Sequence, residues 1–189
     1  MGKYLSVLIE LDLVRRDVSI TAVKKTKNGI YSFKDNIFSF WFRFIFPYED
    51  MINLGRHEEV LKMISRDLNA YIGKPFEEIA KEFLWATSGG NFSRIGRWWY
   101  KGEEIDIVAI NEDKMEIALF ECKWSRLSQN EAFNILNDLE RKAPLVKWKD
   151  NRYKEHCGII AKEVKGKEKL REKGYQIFDL GDLDAAFRM

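Results

Sequence analysis

The reading of the fold turns on three consecutive stretches: Glu103-Glu104-Ile105-Asp106-Ile107-Val108-Ala109-Ile110, then Asn111-Glu112-Asp113-Lys114, then Ile117-Ala118-Leu119-Phe120-Glu121-Cys122-Lys123-Trp124. Two apolar runs around a polar turn predict a β-hairpin. With Asp113-Lys114 as the two-residue turn, Glu112 opposes Met115, and the same ladder sets Asp106 opposite Glu121. Opposed residues of an antiparallel pair have Cβ atoms about 4.5–5.5 Å apart. Strand side chains alternate, so Glu121 and Lys123 share one face and Cys122 takes the other. Two carboxylates that close, within apolar strands, are costly unless a cation bridges them. The plainer alternative is a hairpin edge that carries surface charges.

Helical and extended patterns flank the hairpin. Residues 75–87 read as a helix with Pro75 at its first position and Phe76, Ile79, Ala80, Phe83 and Leu84 as its apolar stripe. An earlier helix over residues 58–72 is expected to stop at Gly73. A strand is predicted near 91–100. After the hairpin, Ser128-x-x-Glu131 is a capping box that opens a helix over 128–142, ended before Pro144. A strand near 157–161, a helix near 167–172 ended by Gly174, and a strand near 175–180 follow. The order α-β-β-β-α-β-α-β predicts an α/β (α+β) fold with a mixed sheet flanked by helices.

An acid on one strand and Glu-x-Lys on the next resembles the PD-(D/E)XK nuclease superfamily. More closely, residues 37–189 resemble the C-terminal domain of unknown function of archaeal AAA+-type ATPases. The matching stretches are Phe40-Trp41-Phe42-Arg43-Phe44, Ile95-Gly96-Arg97-Trp98-Trp99, Glu104-Ile105-Asp106-Ile107-Val108-Ala109 and Glu121-Cys122-Lys123-Trp124. The resemblance implies a restriction-endonuclease-like mixed sheet and a Mg²⁺-dependent endodeoxyribonuclease. Such chemistry needs charge neutralised on phosphate oxygens and a nucleophile made from water, which a divalent ion supplies. Asp106 and Glu121 are the expected ligands of Mg²⁺ or Mn²⁺, with the Cys122 carbonyl as a further one. Lys123 is expected to act on the attacking water or the transition state. By resemblance, Glu77 takes the place of the family's helical acid and holds a second ion. Glu104 shares the face of Asp106. No phosphate-binding Gly-x-x-x-x-Gly-Lys-Ser/Thr occurs.

Residues 3–14 carry Tyr4, Val7, Leu8, Leu11 and Val14 at helical spacing, and strands are expected at 17–22 and 29–34. The link contains Lys24, Lys25 and Lys27 and ends in Asn28-Gly29, a turn signal. Helix plus basic hairpin resembles the last third of a winged helix. Two upstream helices of that fold are not in the sequence, so the chain reads as part of a longer protein. Residues 37–46 are aromatic on all sides, the pattern of a helix buried all round. The expected organisation is thus a partial winged helix over 1–36, an aromatic helical linker over 37–72 and a nuclease-like domain over 73–189.

Net charge is +2, so there is no global basic field to hold nucleic acid. Any DNA contact must be local, from Arg94 and Arg97 among the aromatics Trp98, Trp99 and Tyr100, or from the lysines of the N-terminal hairpin. Trp98 and Tyr100 are expected to face the core. The cysteines, Cys122 and Cys157, lack metal spacing and read as buried thiols. Abundant Lys and Glu, with Gln only at 129 and 176, fit a thermophile. No signal peptide or membrane-spanning run is present, and a cytoplasmic location is expected. Expected partners are DNA, an ATPase domain, and further copies of the chain through an apolar face at Leu8 and Leu11.

Overall fold

Tyr4, Val7 and Leu8 recur at helical spacing and form α1 (Lys3–Glu10). The computed structural model describes residues 2–22 and 26–188. Helix α1 ends four residues sooner than its apolar pattern, because Asp12 enters the left-handed region at φ 60°. The Asp12 and Leu13 amides then donate to Ile9 and Leu8 carbonyls at 3.0 Å each. This is a Schellman closure with aspartate in the place glycine usually takes. The released chain forms β1 (Val14–Asp17) and pairs antiparallel with β2 (Ile30–Phe33), Val14 opposite Phe33. The strand expected at 17–22 therefore lies earlier. Lys24 and Lys25 lie outside the described residues, and Lys27 is exposed.

The aromatic segment departs from its expectation. It forms α2 (Asn36–Phe40), a π-helical turn over Trp41–Ile45, a 3₁₀ turn over Phe46–Tyr48 and α3 (Glu49–Asn53). Phe44 is buried, but Ile37, Trp41, Phe42 and Phe46 are about half exposed or more. A helix aromatic on all sides is buried only where neighbours cover every side. Here Leu8, Leu13, Phe33, Phe38 and Trp41 instead line an open apolar groove of about 700 Å³.

The two helices expected around Gly73 are one, α4 (His57–Thr87), with Pro75 inside it. An interior proline costs roughly 3 kcal/mol. Phe76, Ala80, Phe83 and Leu84, all buried in one cluster, offset this. Burying one Phe or Leu side chain is worth about 1.5–3 kcal/mol. Ile79, expected on the same stripe, is exposed. The chain divides into two compact units, residues 1–18 with 24–72 and residues 19–23 with 73–189, and α4 runs through the boundary.

In the second unit, β3 (Arg94–Tyr100), β4 (Glu103–Asn111) and β5 (Glu116–Leu127) form an antiparallel meander. Helix α5 (Gln129–Lys142) then carries the chain to β6 (Lys154–Val164), and α6 (Lys167–Glu172) to β7 (Gln176–Phe178). Both last strands pair parallel, giving a five-stranded mixed sheet in the order β3-β4-β5-β6-β7. A final helix, α7 (Leu180–Phe187), had no counterpart in the sequence expectations; an Asp179–Asp182 capping box starts it. Residues 74–87 of α4 and Leu183 of α7 share a core cluster with one sheet face. The other face packs Leu139 of α5 on Val108, Ile110 and Leu119, and Leu170 of α6 on Ile159 and Ile177. Residues 19–20 lie along β3, where the Ile20 amide donates to the Arg97 carbonyl at 2.9 Å. Among the described residues, no helix is long and apolar enough to cross a membrane.

Gly158 lets β7 close the sheet. A Cβ there would stand 2.3 Å from the Gln176 carbonyl oxygen and 2.5 Å from the Phe120 ring. Gly158→Ala is expected to cost at least about 1–3 kcal/mol, because backbone and a buried ring must both move. Urea unfolding should show the loss, and an unchanged midpoint would refute this packing.

Candidate functional site

The β4–β5 ladder runs from Asn111 opposite Glu116 to Ile107 opposite Phe120. That is the register expected from the Asp113-Lys114 turn. One step further the backbone ladder stops. The Cys122 amide donates instead to the Asp106 carboxylate, at 2.9 Å. On the other side of β4, Gly96 pairs with Val108 and Trp98 with Ile105. Two residues, Asp106 and Ile107, thus stand against the single Arg97, which is a β-bulge. Bulges bend a strand and re-aim a side chain. The core shows this: Ile105 packs with Val108 and Ile110, whereas Ile107 and Ala109 pack on the opposite face. Strict alternation would have kept Ile105 and Ile107 together.

Asp106 and Glu121 are each 8% exposed. Lys123 joins them, its Nζ 2.8 Å from Glu121 Oε2 and 3.7 Å from Asp106 Oδ2. The Cys122 thiol belongs to the core cluster beneath, where burial pushes it well up. Trp124 is packing: it meets the Phe76 ring at 5.3 Å and is covered by the Lys162 ammonium.

Glu77 is largely buried and pairs with Lys74 at 2.7 Å. Its carboxyl is raised by burial, with the Asp106 charge adding to that and Lys74 opposing it. Arg97 is also drawn in. One guanidinium nitrogen holds Glu104 at 2.7 Å, while its Nε is buried without a hydrogen-bond partner. Glu104 itself is exposed. Arg94 points elsewhere, to Glu112 at 3.3 Å and the Ile20 carbonyl. Trp98 is buried as expected, whereas Tyr100 is 49% exposed. β3 is an edge strand of the sheet.

One residue of the site escaped the sequence reading. Lys142, the last residue of α5, places its Nζ 3.2 Å from Glu121 Oε1 and 2.9 Å from Asp138 Oδ2. The available signal was helical periodicity. Ala132, Leu136 and Leu139 are the buried stripe of α5, and Lys142 follows Leu139 by three. A lysine there must reach an acid.

Paired oxygen donors suit Mg²⁺ or Mn²⁺. Among the described residues no three His, Cys, Asp or Glu side chains converge on one point. A Mg²⁺ ion commonly takes one or two carboxylates and completes its shell with water and substrate phosphate. The Asp106–Glu121 pair fits that need.

Fold and site define an α/β domain whose mixed sheet carries a buried acid–acid–lysine centre. The chain belongs to the DUF234 family of archaeal and bacterial proteins of unknown function, whose pattern matches residues 41–135, half of its length. An uncharacterized protein of Methanocaldococcus jannaschii is 38% identical over 184 residues; the match covers 95% of this chain and 40% of that protein. Two solved structures resemble the fold distantly. A repair endonuclease from Pyrococcus abyssi aligns with a TM-score of 0.38 at 10% identity, over 55% of this chain and 46% of its own. A Vibrio cholerae protein aligns at 0.40 and 12%, over 97% of this chain and 40% of its own.

Burial pushes the Glu121 carboxyl above the ordinary glutamate range and the Asp106 charge adds to this, against the opposing pull of Lys123 and Lys142. A raised carboxyl holds its proton more tightly folded than unfolded. Its cost is absent below the ordinary value of about 4.3 and fully present above the raised one. Stability should therefore fall as pH rises through that window. Asp138, held low by Lys142 and Arg141, loses its contribution only at more acid pH. Glu121→Gln should flatten the slope and be at least as stable as the parent at neutral pH. Urea unfolding of both proteins from about pH 4.5 to 8 tests this; parallel curves would count against it.

Proposed function

We propose that the chain is a divalent-metal-dependent nuclease-like domain acting on DNA phosphodiesters. The observation that carries this reading is the Lys123 ammonium set between two nearly buried carboxylates, Asp106 and Glu121. Desolvating two acids side by side destabilises a fold, so their retention argues for a task. Asp106 and Glu121 would hold Mg²⁺ or Mn²⁺ with the Cys122 carbonyl as a further donor, and Glu77 would serve a second ion. When bound, such an ion neutralises phosphate charge and acidifies water. Lys123 orients the attacking water and stabilises charge developing on the phosphate. Arg97, whose charge acts on Glu77, would take a phosphate oxygen.

The chain spans about 40% of the M. jannaschii relative it matches. In such longer proteins we place this domain as the C-terminal part of an archaeal ATPase, with α1 and the β1–β2 hairpin as the end of a winged helix. A second reading is a regulatory or protein-interaction domain of an ATPase that keeps the nuclease fold without catalysis. One observation favours it: lysines hold both Glu121 oxygens.

Calorimetric Mn²⁺ binding and plasmid or junction cleavage separate the two. Asp106→Asn keeps an oxygen for the Cys122 amide, so it should fold as stably as the parent while losing cation affinity and cleavage together. Lys123→Met should lower cleavage by on the order of 10²-fold or more without lowering cation affinity, since an ammonium is no ligand. A parent that binds no divalent ion at millimolar concentration, with Asp106→Asn indistinguishable from it, would leave only the interaction-domain reading.

A further inference from the structure

The two oxygens of Glu121 meet two different ammonium groups. Lys123 holds Oε2 at 2.8 Å, and Lys142 approaches Oε1 at 3.2 Å. The Lys142 side chain is only 12% exposed and has a second partner, Asp138, one helical turn before it at 2.9 Å. Asp138 is about half exposed and offers the ammonium a place outside the acid pair. Lysine is a point charge on a flexible stem, able to move between two such partners.

We infer that Lys142 is a positioning residue of this site: it holds one of the two oxygens of Glu121, and yields it by moving wholly to Asp138 when a divalent cation enters the acid pair. The inference rests on the metal-dependent reading above. Cation and ammonium compete for one carboxylate, so their binding is antagonistic. Without a cation, Lys142 holds that Glu121 oxygen from the end of α5. With one, the ammonium is held by Asp138 alone.

Competition fixes the sign of each variant. Lys142→Met removes both the competitor and a unit positive charge beside the ion, so Mn²⁺ affinity by calorimetry should rise about tenfold. Lys142→Arg restores the charge and should return affinity towards the parent's. Asp138→Asn removes the alternative partner, keeps Lys142 on Glu121 and should weaken Mn²⁺ binding several-fold. In the double variant that weakening should vanish, because no ammonium is left to redirect. A merely structural Lys142 would not produce shifts of opposite sign that cancel this way.

Circular dichroism checks that each variant folds. A folded Lys142→Met that binds Mn²⁺ no better than the parent overturns the inference and leaves the metal-dependent reading standing. Binding by Lys142→Met but not by the parent upholds the competition and denies the metal-dependent reading for the parent. No binding by either protein at millimolar concentration removes both. Should Lys142→Met fail to fold, Asp138→Asn decides: weaker binding supports the inference, and unchanged or tighter binding overturns it.

Discussion

Everything around the acid centre depends on one hydrogen bond, from the Cys122 amide to the Asp106 carboxylate. The β4–β5 ladder ends at Ile107 and Phe120, and a strand leaving its ladder exposes a donor that must be satisfied. Asp106 satisfies it with a side chain instead of a carbonyl. This fixes the carboxylate against the backbone of the strand that bears Glu121 and Lys123. The bulge opposite Arg97 makes the substitution feasible, since an extra residue in β4 turns Asp106 out of strict alternation. Without it, Ile105 and Ile107 would share a face and the strand would continue as ordinary sheet.

The centre is held at a cost that the rest of the unit offsets. Glu121 and Glu77 are both pushed towards their neutral forms, chiefly by burial. Burial also pulls the Lys123 ammonium down, but Glu121 and Asp106 outweigh it. Beneath the site, Phe76, Phe120 and Ile160 pack as an apolar floor, and Leu136, Leu139 and Leu119 are fully buried on the far face. Sites that trade stability for chemistry have this build, with local electrostatic strain carried by a well-packed scaffold.

The hairpin was legible because its signals are local and agree. Turn residues, period-two runs and a lone acid fix one register, and the capping box at Ser128 fixes the start of α5. Other parts were hidden for identifiable reasons. Aspartate closes α1 where glycine would have advertised the stop. Pro75 reads as a boundary, yet the buried stripe after it outweighs one missing backbone bond. The exposure of Trp41 and Phe42 depends on what covers them, which composition does not encode. Lys142 meets Glu121 across 21 residues: the periodicity of α5 marks a lysine on the buried side, but not which acid it reaches. Asp179, as the cap that begins α7, was visible in principle as an acid three residues before another.

The net charge of +2 constrains how a phosphate backbone would be met. Cations are abundant at the site but committed: Lys74 to Glu77, Lys142 to Glu121 and Asp138, Lys123 to both central acids, and one arm of Arg97 to Glu104. An incoming polyanion finds little free positive charge until those acids acquire another partner. On the proposed reading, a divalent ion supplies it, and the Lys123 ammonium it displaces becomes available to phosphate. Linkage then makes the effect mutual: whatever factor the ion adds to phosphate affinity, phosphate must add to the affinity for the ion. The ion pairs across the acid centre would on that reading couple metal to substrate.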